Sequence, residues 1–137
     1  VTETGEAVSS DDFLGDVLVV NFWYAACGPC IVEAPLLEQV WQKSKDEDVS
    51  FLGVNTYDQP ATALSFAKDN GVTYPSVIDV VDGRVKLAFA QVTPIQATPT
   101  TLVIDRQGRV AARIIGQLAS ASILSTLVSD ALDEDSP

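Results

Sequence analysis

The residues that most constrain this chain are Val17 to Cys30. Val17 to Trp23 is a near-continuous apolar run rich in β-branched residues, the pattern of a strand buried on both faces of a sheet. Tyr24-Ala25-Ala26 follows, then Cys27-Gly28-Pro29-Cys30, the only two cysteines in the protein, and then a long helical pattern. A strand therefore delivers a C-x-x-C pair to the start of a helix. The free N–H groups and partial positive charge at a helix N-terminus stabilise a thiolate, which is the reactive form of cysteine.

Several chemistries compete for such a pair. Structural zinc asks for four Cys or His ligands, and this chain offers two cysteines and no histidine. Two thiolates can bind Cu(I), but neither a histidine nor a methionine is present to assist them. A purely structural disulfide across so short a loop constrains the unfolded chain little. Thiol–disulfide exchange is the reading the residues favour, because a βαβ pattern surrounds the motif. The expectation is no metal and no cofactor beyond the Cys27–Cys30 pair itself. In that chemistry Cys27, at the mouth of the helix, is expected to have the more exposed sulfur and to attack. Cys30, one turn inward, resolves the mixed disulfide. Gly28 and Pro29 place no charge between them and set how far the thiolate is favoured.

Nineteen acidic against eight basic residues give a formal charge of −11, which argues against nucleic acid or an anionic membrane as partner. The length of 137 residues suits one domain, with a loose arm at 1–6 and an acidic tail at 133–137. No apolar run is long enough to span a bilayer. A chain that opens on Val1 and holds no methionine is expected to be secreted and processed, or freed from a signal or anchor.

Along the chain, Ser9 to Gly15 reads as a capped turn of helix. The helix from Cys27 to about Lys45 carries an apolar stripe of Leu36, Leu37, Val40 and Trp41, with a kink expected at Pro35. Val49–Asn55 is a second strand, and Pro60 opens a helix to Asn70 whose apolar face is Ala63, Leu64, Phe66 and Ala67. Ser76 to Val81 reads as a third strand ending at Asp82-Gly83, and Val85 to Ala90 as a short helix. Thr100–Ile104 and Arg109–Ile115 form a hairpin turned at Asp105-Arg106-Gln107-Gly108. A last helix, Ser120 to Leu132, has Ile123, Leu124, Leu127 and Val128 on its apolar face. The order predicts parallel strands, then an antiparallel hairpin, in a three-layer α/β/α sandwich with a mixed sheet.

Asn21-Phe22-Trp23-x-x-x-Cys27-Gly28-Pro29-Cys30 resembles the active-site segment of the thioredoxin superfamily, and Ala97-Thr98-Pro99-Thr100 resembles its cis-proline loop. The chain is most similar to the extracytoplasmic TlpA/ResA-like branch. Cys30-Ile31-Val32-Glu33-Ala34-Pro35 matches C-x-x-E-x-P. Gly53-Val54-Asn55, the helix Pro60–Asn70 and Gly71-Val72-Thr73-Tyr74-Pro75 look like that branch's central βα insertion. Pro99 to Val110 matches P-T-T-x-x-I-D-x-x-G-x-V. The resemblance implies a thioredoxin-like fold and a monomeric thiol–disulfide oxidoreductase outside the cytoplasm. It implies a reductant that restores apocytochrome thiols from their disulfide in cytochrome c maturation, fed by a membrane electron donor. Alternatives are an oxidant that forms disulfides in secreted proteins, passing electrons to a membrane acceptor, and a non-catalytic metal- or protein-binding module.

The resemblance also assigns residues. Pro99 is implied to be cis and, with Thr98, to meet substrate; Trp23 either meets substrate with them or is a core aromatic under the site. Thioredoxins place a titrating aspartate six residues before the first cysteine; here that residue is Asn21, which cannot titrate. Glu33, one helical turn after Cys30, is expected to take over the proton relay with a raised pKa. The alternative is a solvated first-turn glutamate that favours the helix dipole. Two departures stand out. Ala26 occupies the position before the first cysteine where these proteins commonly carry tryptophan. Tyr24 stands where thioredoxin-fold peroxidases place threonine, which disfavours a peroxidase.

Overall fold

The computed structural model describes residues 1–81, 83–90 and 97–134. Its strands are β1 Val17–Trp23, β2 Val49–Asn55, β3 Ser76–Ile78, β4 Thr100–Ile104 and β5 Val110–Ile115; its α-helices are α1 Gly28–Ser44, α2 Pro60–Asn70, α3 Arg84–Ala90 and α4 Ala121–Glu134. The strands form one sheet in the order β3-β2-β1-β4-β5. β1, β2 and β3 run parallel, while β4 is antiparallel to β1 and β5 to β4. This is the mixed sheet that the element order predicts, and the thioredoxin-like fold that the resemblance implies. β1 lies at its centre with all seven residues buried, which explains its unbroken apolar run.

The period of two along β1 divides the core. Val17 and Val19 face α1 and α4, meeting Leu37, Val40, Leu124 and Val128. Leu18, Val20 and Phe22 face the other layer, against Phe13, Val85 and Phe89. Trp23 joins Cys27, Cys30 and Ala63 of α2 in a third cluster at the end of the strand. The active-site segment is thus carried on a central strand that is buried along its whole length.

The structure departs from the sequence reading in five places. Residues 1–6 are not loose: Thr2 pairs with Val77, the Ile78 N–H donates to the Val1 carbonyl at 2.9 Å, and the Glu3 carboxylate accepts from the Ser76 N–H at 2.7 Å. They cover the open edge of β3, whose backbone groups would otherwise stay unpaired. β3 stops at Ile78 because Asp79 turns out of the sheet to accept the Val85 and Lys86 N–H groups at 2.9 and 3.0 Å, capping α3. Ile123 of α4 and Leu64 of α2 are 45% and 44% exposed, and Ala131 takes a buried place on α4 instead. Asp133 and Glu134 of the expected tail extend α4; residues 135–137 and Asp82 of the expected turn lie outside the described residues.

Gly53 lies in β2 between Asn21 of β1 and Ser76 of β3. A Cβ there would meet Ser76 Oγ and would lie 2.9 Å from Trp23 Nε1, the two atoms of a hydrogen bond that spans β2 at 3.0 Å. Glycine is needed so that the indole can cross. Gly53→Ala is expected to destabilise the fold by about 1–3 kcal/mol, read as a lower midpoint in urea denaturation; an unchanged midpoint would mean that Trp23 moves aside freely.

Candidate active site

Cys27 is the N-cap of α1, with extended backbone (φ −75°, ψ 108°), and Pro29 occupies the first turn, where its missing N–H costs nothing. Its Sγ accepts the Cys30 N–H at 3.2 Å, so the sulfur takes the capping place that Ser or Asp usually fills. The Cys27 N–H in turn donates to the Tyr24 carbonyl at 3.2 Å. Cys27 and Cys30 are joined in a disulfide with Cα atoms 5.2 Å apart. The expected contrast in exposure is absent, since the two residues are only 4% and 3% exposed. Position separates them: Cys27 caps the helix and Cys30 lies one turn inside. Ala26, Gly28 and Pro29, around the disulfide, are exposed.

Glu33 is fully buried, so it is not the solvated glutamate of the alternative reading. Its Oε2 accepts from Asn21 Nδ2 at 2.7 Å, and its Oε1 from the Leu118 N–H at 2.8 Å. Asn21 Nδ2 also donates to Thr101 Oγ1 at 3.1 Å, its neighbour across the β1–β4 ladder. Burial raises the pKa of Glu33 above the ordinary value near 4.5, while the Leu118 and Asn21 hydrogen bonds pull it partly back. Asn21 and Cys30 line one small cavity together with Trp23, Tyr74 and Ser76. Asn21 thus links Glu33 to Cys30, bound to the first and lining a cavity with the second.

Trp23, expected to meet substrate, does not present its ring. It is 6% exposed, packed against Phe66 with ring centroids 4.5 Å apart, and its Nε1 is bound to Ser76. Its place is beneath the disulfide, as a floor.

The Thr98–Pro99 peptide is cis. Pro99 is buried, its carbonyl accepts the Gly116 N–H at 2.8 Å, and Thr98 is partly exposed. Because Phe22 of β1 pairs with Thr100 of β4, residues 97–99 emerge at the end of β1 that leads to Cys27.

The sequence reading missed four contributors. The Leu118 N–H and the Thr101 hydroxyl complete the Glu33 network from segments remote in sequence. Asn55 and Asp58 anchor the approach to Cys27: Asp58 Oδ2 accepts the Ala25 N–H at 2.7 Å and Asn55 Nδ2 at 2.9 Å. The Asn-x-x-Asp spacing after a strand was a visible signal, since Asx side chains bind nearby backbone in turns. Among the described residues, no group of three Cys, Asp or Glu side chains is placed to hold a metal, and no helix is long and apolar enough to cross a membrane.

A five-stranded mixed sheet with a cis-proline loop and a C-x-x-C disulfide at a helix N-terminus defines a thioredoxin-superfamily protein. Residues 1–127 match the Redoxin family, and the chain belongs to it. Within it, the chain is similar to the thiol-disulfide oxidoreductase ResA of Geobacillus kaustophilus, 34% identical over 82% of this chain, and to that of Bacillus subtilis, 29% identical over 87%. It spans only 62% and 64% of those two proteins. Among solved structures it resembles a thiol:disulfide interchange protein from Chlorobium tepidum (TM-score 0.87, 29% identity, covering 96% of this chain and 90% of that one). It also resembles a DsbF homologue from Corynebacterium diphtheriae (TM-score 0.80, 30% identity, covering 94% and 80%).

The raised pKa of Glu33 has a consequence for stability. The folded state favours the protonated carboxyl, so this contribution is full below about pH 4.5 and is lost as pH rises through the folded value. Glu33→Gln cannot ionise. In urea denaturation of the oxidised protein, the variant's midpoint relative to the parent is therefore expected to climb as pH rises above about 4.5. Parallel pH profiles would show that Glu33 ionises as easily when folded.

Proposed function

We propose that this protein is a thiol–disulfide oxidoreductase that exchanges the Cys27–Cys30 pair with protein thiols and disulfides. The observation that carries the reading is the capping geometry. The Cys27 sulfur sits at the N-terminus of α1 and accepts the Cys30 N–H, a position that favours Cys27 as the thiolate. In the reducing direction, the Cys27 thiolate attacks one sulfur of a substrate disulfide and expels the other as a thiolate, forming a mixed disulfide. The Cys30 thiolate then attacks Cys27, releasing the second substrate thiol and leaving Cys27–Cys30 oxidised. Cys30 must lose a proton for that step, and Glu33, one turn along α1 with a raised pKa and bound to the Asn21 that lines a cavity with Cys30, takes it up. Thr98 and Pro99 hold the substrate backbone beside the sulfurs.

Glu33 also sets the direction. A buried carboxylate disfavours a second negative charge nearby, so it opposes the Cys27 thiolate and makes the dithiol the better electron donor. A potential nearer thioredoxin's ~−270 mV than the ~−120 mV of the oxidant DsbA is expected. Together with the similarity to ResA, this supports a reductant acting outside the cytoplasm on apocytochrome disulfides and recharged by a membrane electron donor. A potential at the oxidising end would assign disulfide formation instead.

Cys27→Ser is expected to abolish reduction of insulin disulfides, while Cys30→Ser is expected to accumulate the mixed disulfide on Cys27, visible by mass spectrometry. Retained insulin reduction by Cys27→Ser would leave a binding module as the reading. Glu33→Gln is expected to lower the Cys27 pKa in a thiolate absorbance titration; an unmoved titration would remove Glu33 from the proton relay.

A further inference from the structure

Ala26 leaves the surface before Cys27 without an aromatic ring in sequence, but the fold brings one from elsewhere. Tyr57, in the loop after β2, is 70% exposed, and its ring lies 5.9 Å from that of Tyr24 at an interplanar angle of 55°. Tyr24 is itself packed against the cluster that holds both cysteines, and its carbonyl accepts the Cys27 N–H at 3.2 Å. The two rings form a continuous aromatic step running from the disulfide to solvent. A tyrosine this exposed gains little stability from its position, since most of its surface stays in water.

The loop beneath the step is held rigid. Asn55, fully buried at the end of β2, accepts the Tyr57 and Asp58 N–H groups on Oδ1 at 3.0 and 2.7 Å. The Asp58 carboxylate, bound to Asn55, accepts the Ala25 N–H and so ties the Tyr57 loop to the residues leading into Cys27. The Asn55 carboxamide and Asp58 Oδ2 are spent on each other and on the loop backbone, while the Tyr57 ring is presented outward. Rigid aromatic side chains offer contact area at small conformational cost, which suits a surface that must hold partners transiently.

We propose that Tyr24 and Tyr57, held by the Asn55–Asp58 clamp, form the docking surface for an aromatic or bulky apolar side chain flanking the reacting cysteine of a protein substrate. The surface stands in for the tryptophan that Ala26 lacks. It selects which disulfides reach Cys27 and takes no part in the exchange chemistry. The inference rests on the oxidoreductase reading above and names its substrate preference.

The test uses the full chain, reduced, with two peptides each joined to glutathione by a disulfide. One peptide carries phenylalanine beside its cysteine and the other serine, and the second-order rate of peptide release is measured for both. The parent is expected to favour the phenylalanine peptide by about fivefold, the size expected of one aromatic contact. Tyr57→Phe is expected to keep that preference, since the ring remains. Tyr57→Ala is expected to bring the ratio of the two rates close to one, with an unchanged urea midpoint because the side chain is exposed. A parent with no preference, or a preference that survives Tyr57→Ala, overturns the proposal. Failure of the parent to exchange with either peptide overturns the oxidoreductase reading first, and this one with it.

Discussion

Glu33 is a carboxylate without solvent contact, placed where β1, α1, β4 and the segment leading to α4 meet. It accepts hydrogen bonds from the Asn21 side chain on β1 and from the Leu118 backbone before α4, while Asn21 reaches on to Thr101 of β4. Burying a charge is costly unless every lone pair it turns inward finds a donor. Here the donors come from separate elements, so the carboxyl is satisfied only when all are assembled. α1 is thereby set at one height and rotation on the sheet, and that setting brings the disulfide to the end of β1. The group that fixes the active-site helix is also the carboxyl closest in sequence to Cys30.

Around that centre the molecule separates reactivity from access. The reacting sulfurs have little exposure and sit over Trp23, whose indole crosses the sheet above Gly53 to reach Ser76. What faces solvent is small: Ala26, Gly28 and Pro29. Beside them stand Tyr57, tied in by Asp58, and the loop of Thr98 and Pro99.

Some features were legible because they depend on local chemistry. The β-branched run of β1, proline at the start of α2 and glycine at 71 each act within a few residues, and their elements appear where those signals put them. Ser76 to Val81 misled because Asp79 is compatible with a strand by neighbours alone; its two bonds to the start of α3 come from residues six and seven positions away. The N-terminal arm misled for the same kind of reason. Nothing in Val1 to Glu6 shows that β3 has an open edge needing cover.

The pair of cysteines, their spacing and the strand that leads to them were set by sequence alone, and so were the charge of −11 and the lack of histidine that narrowed the chemistry to sulfur. Those properties are carried by residue identity and short-range geometry. The environment of the pair was decided only by tertiary structure. Glu33 becomes hard to ionise because the fold buries it, and the Leu118 N–H, 85 residues away, offsets part of that cost. Trp23 becomes floor rather than contact surface because Ser76 claims its N–H. Tyr57 becomes a neighbour of the active-site loop because Asp58 binds Ala25, 33 residues earlier. Burial and desolvation belong to the assembled molecule, and they govern pKa and access, so only the folded chain could settle them.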